Sequence, residues 1–206
     1  MSQYLRNNGG ELLRLSLDHL TMTFISLGLA CLFAGVLVFF CYDRERLRNL
    51  VTYLASAFYS IPSFGLFALL IPLTGLGKTT AILGLAIYSQ YILVRTFFNA
   101  LLEVDRGMVE AAYGMGMTRN QVLRKISLPL ALGPILTGIK LAATSTIGIA
   151  TIAATINAGG LGTLLFEGLR TRNVIPMVYC ILITAGLCLL VNVLLGALYK
   201  VLKKRK

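Results

Sequence analysis

Side chains that carry catalysis are scarce in this chain. Its 206 residues include one histidine, eight acidic residues and no tryptophan. They form no serine–histidine–aspartate set and no suitably placed pair of carboxylates, so we predict that the chain is not itself an enzyme. The histidine, His19, has no second metal ligand nearby in the sequence, and the four cysteines form no CxxC pair. Neither a metal centre nor a disulfide is therefore expected.

Charge is scarce as well. Only 13% of the residues are charged, 57% are hydrophobic, and the mean hydropathy is +0.80. A soluble domain carries about 25% charged residues. The net charge of +11 could suggest nucleic acid, but the basic residues cluster at the ends of apolar runs and form no basic face interleaved with aromatics. The composition predicts an integral membrane protein without a nucleic-acid partner.

Long apolar runs divide the chain into spans, since about 20 apolar residues cross a bilayer as a helix. Arg95 can reach the interface at the end of the third run, and Gly159, Gly160 and Gly162 end the fourth. We therefore predict an all-α integral membrane protein with about five transmembrane helices. The expected spans are 21–41, 50–73, 79–98, 128–156 and 174–199, between an N-terminal segment, 1–20, and a basic tail, 200–206.

The distribution of Lys and Arg predicts the orientation. With five spans, thirteen of these residues fall on the side of the C-terminus and five on the side of the N-terminus. The positive-inside rule then places the N-terminus outside and the C-terminus in the cytoplasm. Residues 1–20 become extracytoplasmic, with His19 at the membrane interface, and the tail becomes an anchor beside anionic membrane lipid.

The longest polar segment between spans, the 103–127 loop, is cytoplasmic by this count. Asp105 is a plausible N-cap for a short helix, which Gly114 and Gly116 should break. Thr118, followed three residues later by Gln121, fits a capping box that restarts a helix. The pattern predicts a short helix, a glycine turn and a second helix leading into a span, an arrangement suited to transmitting force to a soluble partner.

A spaced set of residues on this loop matches a known signature. The set is Glu110-Ala111-Ala112, then Gly116 after three residues, then Ile126-Ser127-Leu128-Pro129 after nine more. It resembles the EAA signature of ABC importer permeases. The resemblance implies the type I, binding-protein-dependent permease fold, in which the helix carrying the signature docks in a cleft on an ATPase subunit. It assigns ATPase coupling to Glu110, Ala111, Ala112, Gly114, Gly116, Leu128 and Pro129.

Two further segments, Ile61-Pro62-Ser63 and the glycine-rich stretch from Ile156 to Gly162, look like those of osmoprotectant permeases. The resemblance covers the chain from about Leu17 onward. It implies import of a quaternary ammonium compound such as glycine betaine, carnitine or choline. Similar glycine-rich segments occur in permeases for methionine and other small solutes, so methionine or another amino acid derivative is the alternative substrate.

The resemblance also implies the partners and the location. The chain would form half of a dimeric pore with a second permease subunit, identical or related. It would bind two cytoplasmic ATPase subunits, which hold ATP and Mg, and would receive its solute from a separate extracytoplasmic binding protein. No cofactor would be bound by this chain itself. The expected location is the bacterial inner membrane, as a multi-pass protein.

Polar residues inside the predicted spans are candidates for the translocation pathway. They also commonly bind helices together, so the two roles stay open at each position. The candidates are Tyr59, Ser60, Ser63, Thr144, Thr155 and Asn157. Lys140 is the one charge inside a span, and we expect it near the cytoplasmic end, paired with an acid or reaching the interface. Tyr59 could offer an aromatic face to a quaternary ammonium group.

Gly77-Lys78-Thr79 resembles the end of a P-loop, but Pro72 stands where that motif needs a glycine. We predict a turn there and assign ATP hydrolysis to another chain. Two other classes of protein remain as rivals. An ion-driven secondary transporter usually needs carboxylates inside its spans, and none lies in a predicted span. A membrane scaffold offers no reason for the EAA spacing.

Overall fold

Helices follow one another along nearly the whole chain in the computed structural model, which describes residues 2–204. No strand occurs within that range. The α-helices are α1 Ser2–Cys41, α2 Glu45–Ser60, α3 Ser63–Thr74, α4 Lys78–Leu102, α5 Arg106–Gly114, α6 Arg119–Val122, α7 Leu128–Ile149, α8 Gly162–Thr171 and α9 Val174–Lys204. A π-helical segment, Leu123–Ser127, joins α6 to α7, and a short 3₁₀ helix, Ile152–Ile156, follows α7.

Four helical stretches are long and apolar enough to cross a membrane, and α2 with α3 forms a bent pair that makes up to five spans. The all-α class and the predicted number of spans are thus confirmed. Three of the helices are longer than the expected spans, because polar residues at each end continue the helix beyond the apolar run. The four stretches are Gln3–Cys41, Lys78–Leu102, Arg119–Ile149 and Val174–Val201.

The chain ends differ from the expected division into tail segments. Residues 2–20 are helical and continuous with the first span rather than a separate element, so α1 has 40 residues. At the other end α9 continues to Lys204, and the last two residues of the predicted tail lie outside the described residues. The apolar periodicity marks where lipid begins, but it does not mark where a helix ends.

The expected second span, 50–73, is not one straight helix. The axes of α2 and α3 meet at 97°. Pro62 disfavours the α conformation of the residue before it, and Ile61 is accordingly extended, with φ −70° and ψ 130°. The Tyr88 hydroxyl of α4 donates to the carbonyl of Ile61, which satisfies a backbone group exposed by the break. The expected single span over 50–73 is corrected to a bent pair held against α4.

Helix α4 is the centre of the bundle and packs against α1, α2, α3 and α7. Its approach to α7 is close at Gly138, where an added Cβ would lie 2.2 Å from the Thr96 Oγ1 atom. The same helix pair shares a buried hydrogen bond of 2.8 Å between the Ser89 and Thr146 hydroxyls. Small residues and hydroxyl pairs of this kind hold helices together where lipid supplies no hydrophobic drive.

His19, which we expected at the membrane interface, is completely buried within the protein. Its Nε2 atom is 3.0 Å from the Ile147 carbonyl oxygen of α7, and its Nδ1 atom accepts from the Leu161 N–H at 3.4 Å. The ring therefore ties α1 to the end of α7 and to the glycine-rich segment. In that segment Asn157, Gly159 and Gly160 all have positive φ, which ends the fourth span. Helix α7 stops at Ile149, and only the 3₁₀ helix reaches Ile156.

The Gly77-Lys78-Thr79 segment lies at a short bend between α3 and α4, and a helix precedes it rather than a strand. A P-loop follows a strand, so the interpretation as a turn is supported. Lys78 begins α4, and its Nζ atom lies 2.6 Å from the Asp18 carboxylate of α1. This ion pair joins the first and fourth helices at the end of the bundle away from the 103–127 loop.

Candidate functional site

The first half of the 103–127 loop is a short, well-terminated helix. The Asp105 side chain accepts a hydrogen bond of 3.0 Å from the Met108 N–H, so the predicted N-cap is confirmed. At the other end the Gly116 N–H donates to Tyr113 and the Met117 N–H donates to Ala112, which is the Schellman pattern. Gly116 has φ +79°, a value that favours glycine. Gly114, expected to break the helix, instead lies within α5.

The second half of the loop restarts a helix as expected. The Thr118 N–H donates to Oε1 of Gln121 at 2.8 Å, and the capping box opens α6. Helix α6, the π-helical segment and α7 then form one continuous helical stretch from Arg119 to Ile149. The π-helical segment immediately precedes Leu128-Pro129, where the proline ring has no N–H to donate and crowds the preceding turn. Helix α6 is therefore part of the same helical stretch as the fourth span.

The face of α5 turned away from the bundle is exposed. Ala112 is 1% exposed and fixes the helix by its inner side, whereas Glu110 and Ala111 are exposed. Met108 and Met115 are 54% and 75% exposed. Glu110 lies on another side of α5, where it lines a cavity together with Tyr42, Arg48 and Tyr113, and within residues 2–204 none of the ion pairs includes it. The exposed methionines form an apolar surface of the kind that protein partners bind.

The remaining coupling candidates are placed differently. Gly114 and Gly116 lie on the exposed end of α5 and its turn, with open space around both. Leu128 and Pro129 belong to the first turn of α7, where Leu128 is 39% exposed and Pro129 is half-buried. The seven candidates thus divide between a docking surface on α5 and the turn where the loop enters the span.

Arg119 is a loop residue that sequence reasoning missed. Its guanidinium forms an ion pair with Asp43 and donates at 2.9 Å to the Phe39 carbonyl at the end of α1. The Arg119 Cζ atom also lies 5.1 Å from the ring centroid of Tyr42. Burial, and next the hydrogen bond to Asp43, raise the pKa of Tyr42, which keeps this hydroxyl protonated. The start of α6 is thereby clamped to the turn between α1 and α2.

Helix α4 carries a polar stripe that is mostly exposed. Tyr91, Arg95, Asn99 and the C-cap Glu103 are spaced four residues apart and share one face. Because α4 continues to Leu102, Arg95 lies seven residues inside the helix end, or about 10 Å at 1.5 Å per residue. Charged and amide side chains on a membrane-spanning helix face water or protein rather than lipid.

Two open cavities meet along this stripe, and Asn99 lines both. One has a volume of about 540 Å³ between α2 and α4, and we call it the α2–α4 groove. Its lining residues are Arg48, Asn49, Thr52, Tyr53, Ser56, Tyr91, Arg95, Phe98 and Asn99. The other, about 670 Å³ between α4, α7 and α9, is lined in part by Glu103, Thr137 and Lys140. Together they make a polar surface in a molecule that is otherwise largely apolar outside.

Three of the expected pathway residues lie at the break between α2 and α3. Tyr59 is 37% exposed and its ring lies against Tyr88 and Tyr91 of α4. Ser60 ends α2 and donates to the Ser56 carbonyl at 2.9 Å, and Ser63 begins α3. These residues adjoin the α2–α4 groove, which contains Ser56 and Tyr91.

The other three pathway candidates lie elsewhere. Thr144 accepts a 2.8 Å hydrogen bond from Asn192 of α9, an interhelical contact. Thr155 donates to the Ile152 carbonyl within its own short helix. Asn157 adopts φ 63° and lines a third cavity, of about 340 Å³, together with Glu167 and Arg170. The six candidates therefore do not form a single site.

Lys140 lies on the wall of the larger cavity and takes part in none of the ion pairs within the described range. It is half-buried, and a Cβ added at Gly196 of α9 would lie 3.3 Å from its Nζ atom. The expected pairing with an acid is not observed. The lysine instead adds positive charge beside Asn99 and Glu103 on the cavity wall.

These features define the chain first by class, as a helical multi-pass membrane protein with a short exposed helix on the loop that leads into its fourth span. It belongs to the family of binding-protein-dependent transport system inner membrane components, whose model matches residues 26–206. The predicted family is thus confirmed.

Individual relatives and a solved structure agree with this family. The chain is 32% identical over 194 residues to the carnitine transport permease protein OpuCD of Listeria monocytogenes, covering 94% of this chain and 87% of that one. It is 34% identical over 204 residues to the osmoprotectant import permease protein OsmW of Salmonella typhimurium, covering 97% and 95%. An inward-facing structure of the MetNI methionine ABC transporter matches with a TM-score of 0.84 and 26% identity, over 92% and 95% of the two chains.

Proposed function

We propose that this chain is the permease subunit of an ABC importer for a quaternary ammonium osmoprotectant such as glycine betaine, carnitine or choline. The observation that carries the proposal is the exposed α5 helix, which is fixed by Asp105 and Gly116 and is followed, after the Gly116 turn, by one continuous helix into a span. The substrate class comes from the relatives, which are named for the transport of carnitine and of osmoprotectants.

Coupling follows from how α5 is held. Two cytoplasmic ATPase subunits, which carry the ATP and Mg, would each receive one α5 helix, with Glu110 and Met108 at the contact. Closure of the ATPases displaces α5, and Arg119 and the capping box pass the displacement to α7, whose helix continues unbroken to Ile149. Because α7 packs on α4 and α9, the polar cavities between these helices change shape.

The translocation path would run along the polar stripe of α4. A lipid-facing groove cannot carry Arg95, Asn99 and Thr52, so a second permease subunit is expected to cover this surface and enclose water. A separate extracytoplasmic binding protein would deliver the solute at the opposite end from the 103–127 loop. This arrangement places the loop in the cytoplasm, as the positive-inside rule predicts, in the inner membrane of a bacterium.

The test is ATP-dependent uptake of radiolabelled glycine betaine, carnitine and choline into proteoliposomes that hold this chain with its ATPase and binding protein. Gly116→Val should abolish most uptake while the complex still assembles, because a β-branched residue is strained at φ +79° and the docking helix loses its end. Gly28→Val is the matched control, since Gly28 lies in α1 away from the loop, without positive φ and with open space around it. Equal loss in both variants would remove the coupling role of the turn.

Methionine or another amino acid derivative is the second candidate solute, favoured by the 0.84 TM-score to the methionine transporter. The same proteoliposomes distinguish the two. Uptake of methionine with none of the three quaternary ammonium compounds would keep the permease assignment and overturn the osmoprotectant one.

A further inference from the structure

Three tyrosines gather beside the break between α2 and α3. The Tyr59 ring centroid lies 5.0 Å from that of Tyr91 and 5.6 Å from that of Tyr88. Tyr88 is 6% exposed and its hydroxyl donates to the Ile61 carbonyl, so this residue stabilises the break between α2 and α3. Tyr59 is 37% exposed and Tyr91 is half-buried on the wall of the α2–α4 groove. The Tyr59 ring is therefore accessible at this point, whereas the Tyr91 ring packs against it.

A guanidinium group adjoins these rings. Arg95 donates to the Tyr91 hydroxyl at 2.6 Å, and its Cζ atom lies 5.8 Å from the Tyr91 ring centroid. The side chain is exposed, and among the residues the structure describes no acid forms an ion pair with it. Arginine has five donors, and a carboxylate is the partner that its planar fork matches best.

Aromatic faces beside an arginine suit a ligand that carries both charges. A quaternary ammonium group is attracted to the faces of tyrosine rings, and a carboxylate is attracted to the guanidinium. A solute that has only the cation would gain the first attraction and meet repulsion from Arg95. A zwitterion would gain both. The hydroxyl and amide groups of Thr52, Ser56 and Asn99 line the same groove and keep it wet.

We propose that Tyr59, Tyr91 and Arg95 form a solute subsite in the α2–α4 groove that favours zwitterionic quaternary ammonium compounds over plain cations. The inference rests on the proposed transport function and adds to it a contact site within the permease itself. Tyr59 contacts the ammonium end, and Arg95, which Tyr91 holds in place, contacts the carboxylate. Selection would then occur twice, once in the binding protein and once in the membrane.

Glycine betaine and choline test the role of Arg95, since both carry a trimethylammonium group and only the first carries a carboxylate. Uptake is measured in proteoliposomes of the full complex with saturating loaded binding protein, so that affinity for the binding protein does not enter. Arg95→Gln should lower glycine betaine uptake about tenfold relative to choline uptake, the size expected for a lost charge-assisted contact. Arg95→Lys should retain part of the preference.

Arg46→Gln, an exposed position at the start of α2, is the matched charge control and should leave the ratio unchanged. A fall in both uptake rates by the same factor in Arg95→Gln would overturn the subsite and leave Arg95 as a structural contact of Tyr91. Uptake of neither solute by the wild type, with methionine transported, would instead remove the osmoprotectant function and this subsite with it.

A direct binding measurement tests the role of Tyr59. It also tests the subsite if the binding protein delivers only one of the two solutes. The complex in nanodiscs is examined by saturation-transfer NMR, following the N-methyl protons of glycine betaine. The signal should persist in Tyr59→Phe, which keeps the ring, and disappear in Tyr59→Leu. Phe58→Leu, one position along and lining a separate apolar cavity, should keep it. Equal signals in Tyr59→Leu and Phe58→Leu would overturn the proposal.

Discussion

The 103–127 loop and the α2–α4 groove are built in opposite ways. Most of the bonds that shape the loop join residues three to five positions apart, as in Asp105 with Met108 and Thr118 with Gln121. The groove depends on residues far apart in the chain: Tyr88 of α4 meets Ile61 from 27 positions away, and Tyr59 of α2 packs on Tyr91 of α4. The two ends of α5 are therefore fixed by local bonds, whereas the groove exists only when the bundle has packed.

The largest expected effect comes from separating α4 from α7, which approach each other closely at Gly138. Gly138→Val inserts atoms where even a Cβ would lie 2.2 Å from Thr96 Oγ1, so we expect a destabilisation of about 1–3 kcal/mol from overpacking. Gly148→Val is the control in the same helix, since nothing lies within 4 Å of that position. Thermal unfolding of the complex in nanodiscs measures the difference. Similar midpoints for the two variants would show that the close approach is not needed.

A smaller effect is expected at Arg119, the contact that links the local loop to the bundle. Arg119→Ala removes the ion pair to Asp43 and the contacts with Phe39 and Tyr42. The side chain is 38% exposed, so solvent screening limits the loss to about 1 kcal/mol. Hydrogen exchange should rise in residues 116–122, and solute moved per ATP should fall.

Arg124→Ala, at an exposed position of the π-helical segment, controls for the loss of positive charge at that surface. If exchange and coupling changed equally in the two variants, the clamp to α1 would not be what fixes the loop.

The smallest effect is expected within the loop. Asp105→Ala removes the N-cap of α5 and should cost about 1 kcal/mol of local helix stability. Asp105→Asn keeps a capping acceptor and should be nearly neutral. Hydrogen exchange at Met108 and Val109 measures both variants. If Asp105→Ala also disturbed the α2–α4 groove, the independence of the two regions would be lost.

The contrast between local contacts in the loop and long-range contacts between helices explains which predictions succeeded. The N-cap at Asp105 and the capping box at Thr118 were found because residue and partner lie within one turn of helix. The break near Pro62 was expected, but its 97° angle was not, since Tyr88 and the packing of α3 on α4 set it. Arg119 and Asp43 are 76 positions apart, and no local pattern marks that pair. The burial of His19 was not predicted for the same reason: its hydrogen-bond partners, Ile147 and Leu161, lie 128 and 142 positions further along the chain.

The sequence by itself determined the all-α membrane class, the approximate spans, the loop with its docking helix and the EAA resemblance. These follow from apolar run length and from chemistry within one or two helical turns. Only the tertiary structure decided that Tyr91 of α4 meets Tyr59 of α2, that Thr144 accepts a hydrogen bond from Asn192, and that Lys140 lies on a cavity wall. Such contacts depend on the rotation of each helix about its axis, which is set by packing against neighbours and not by any residue within the helix.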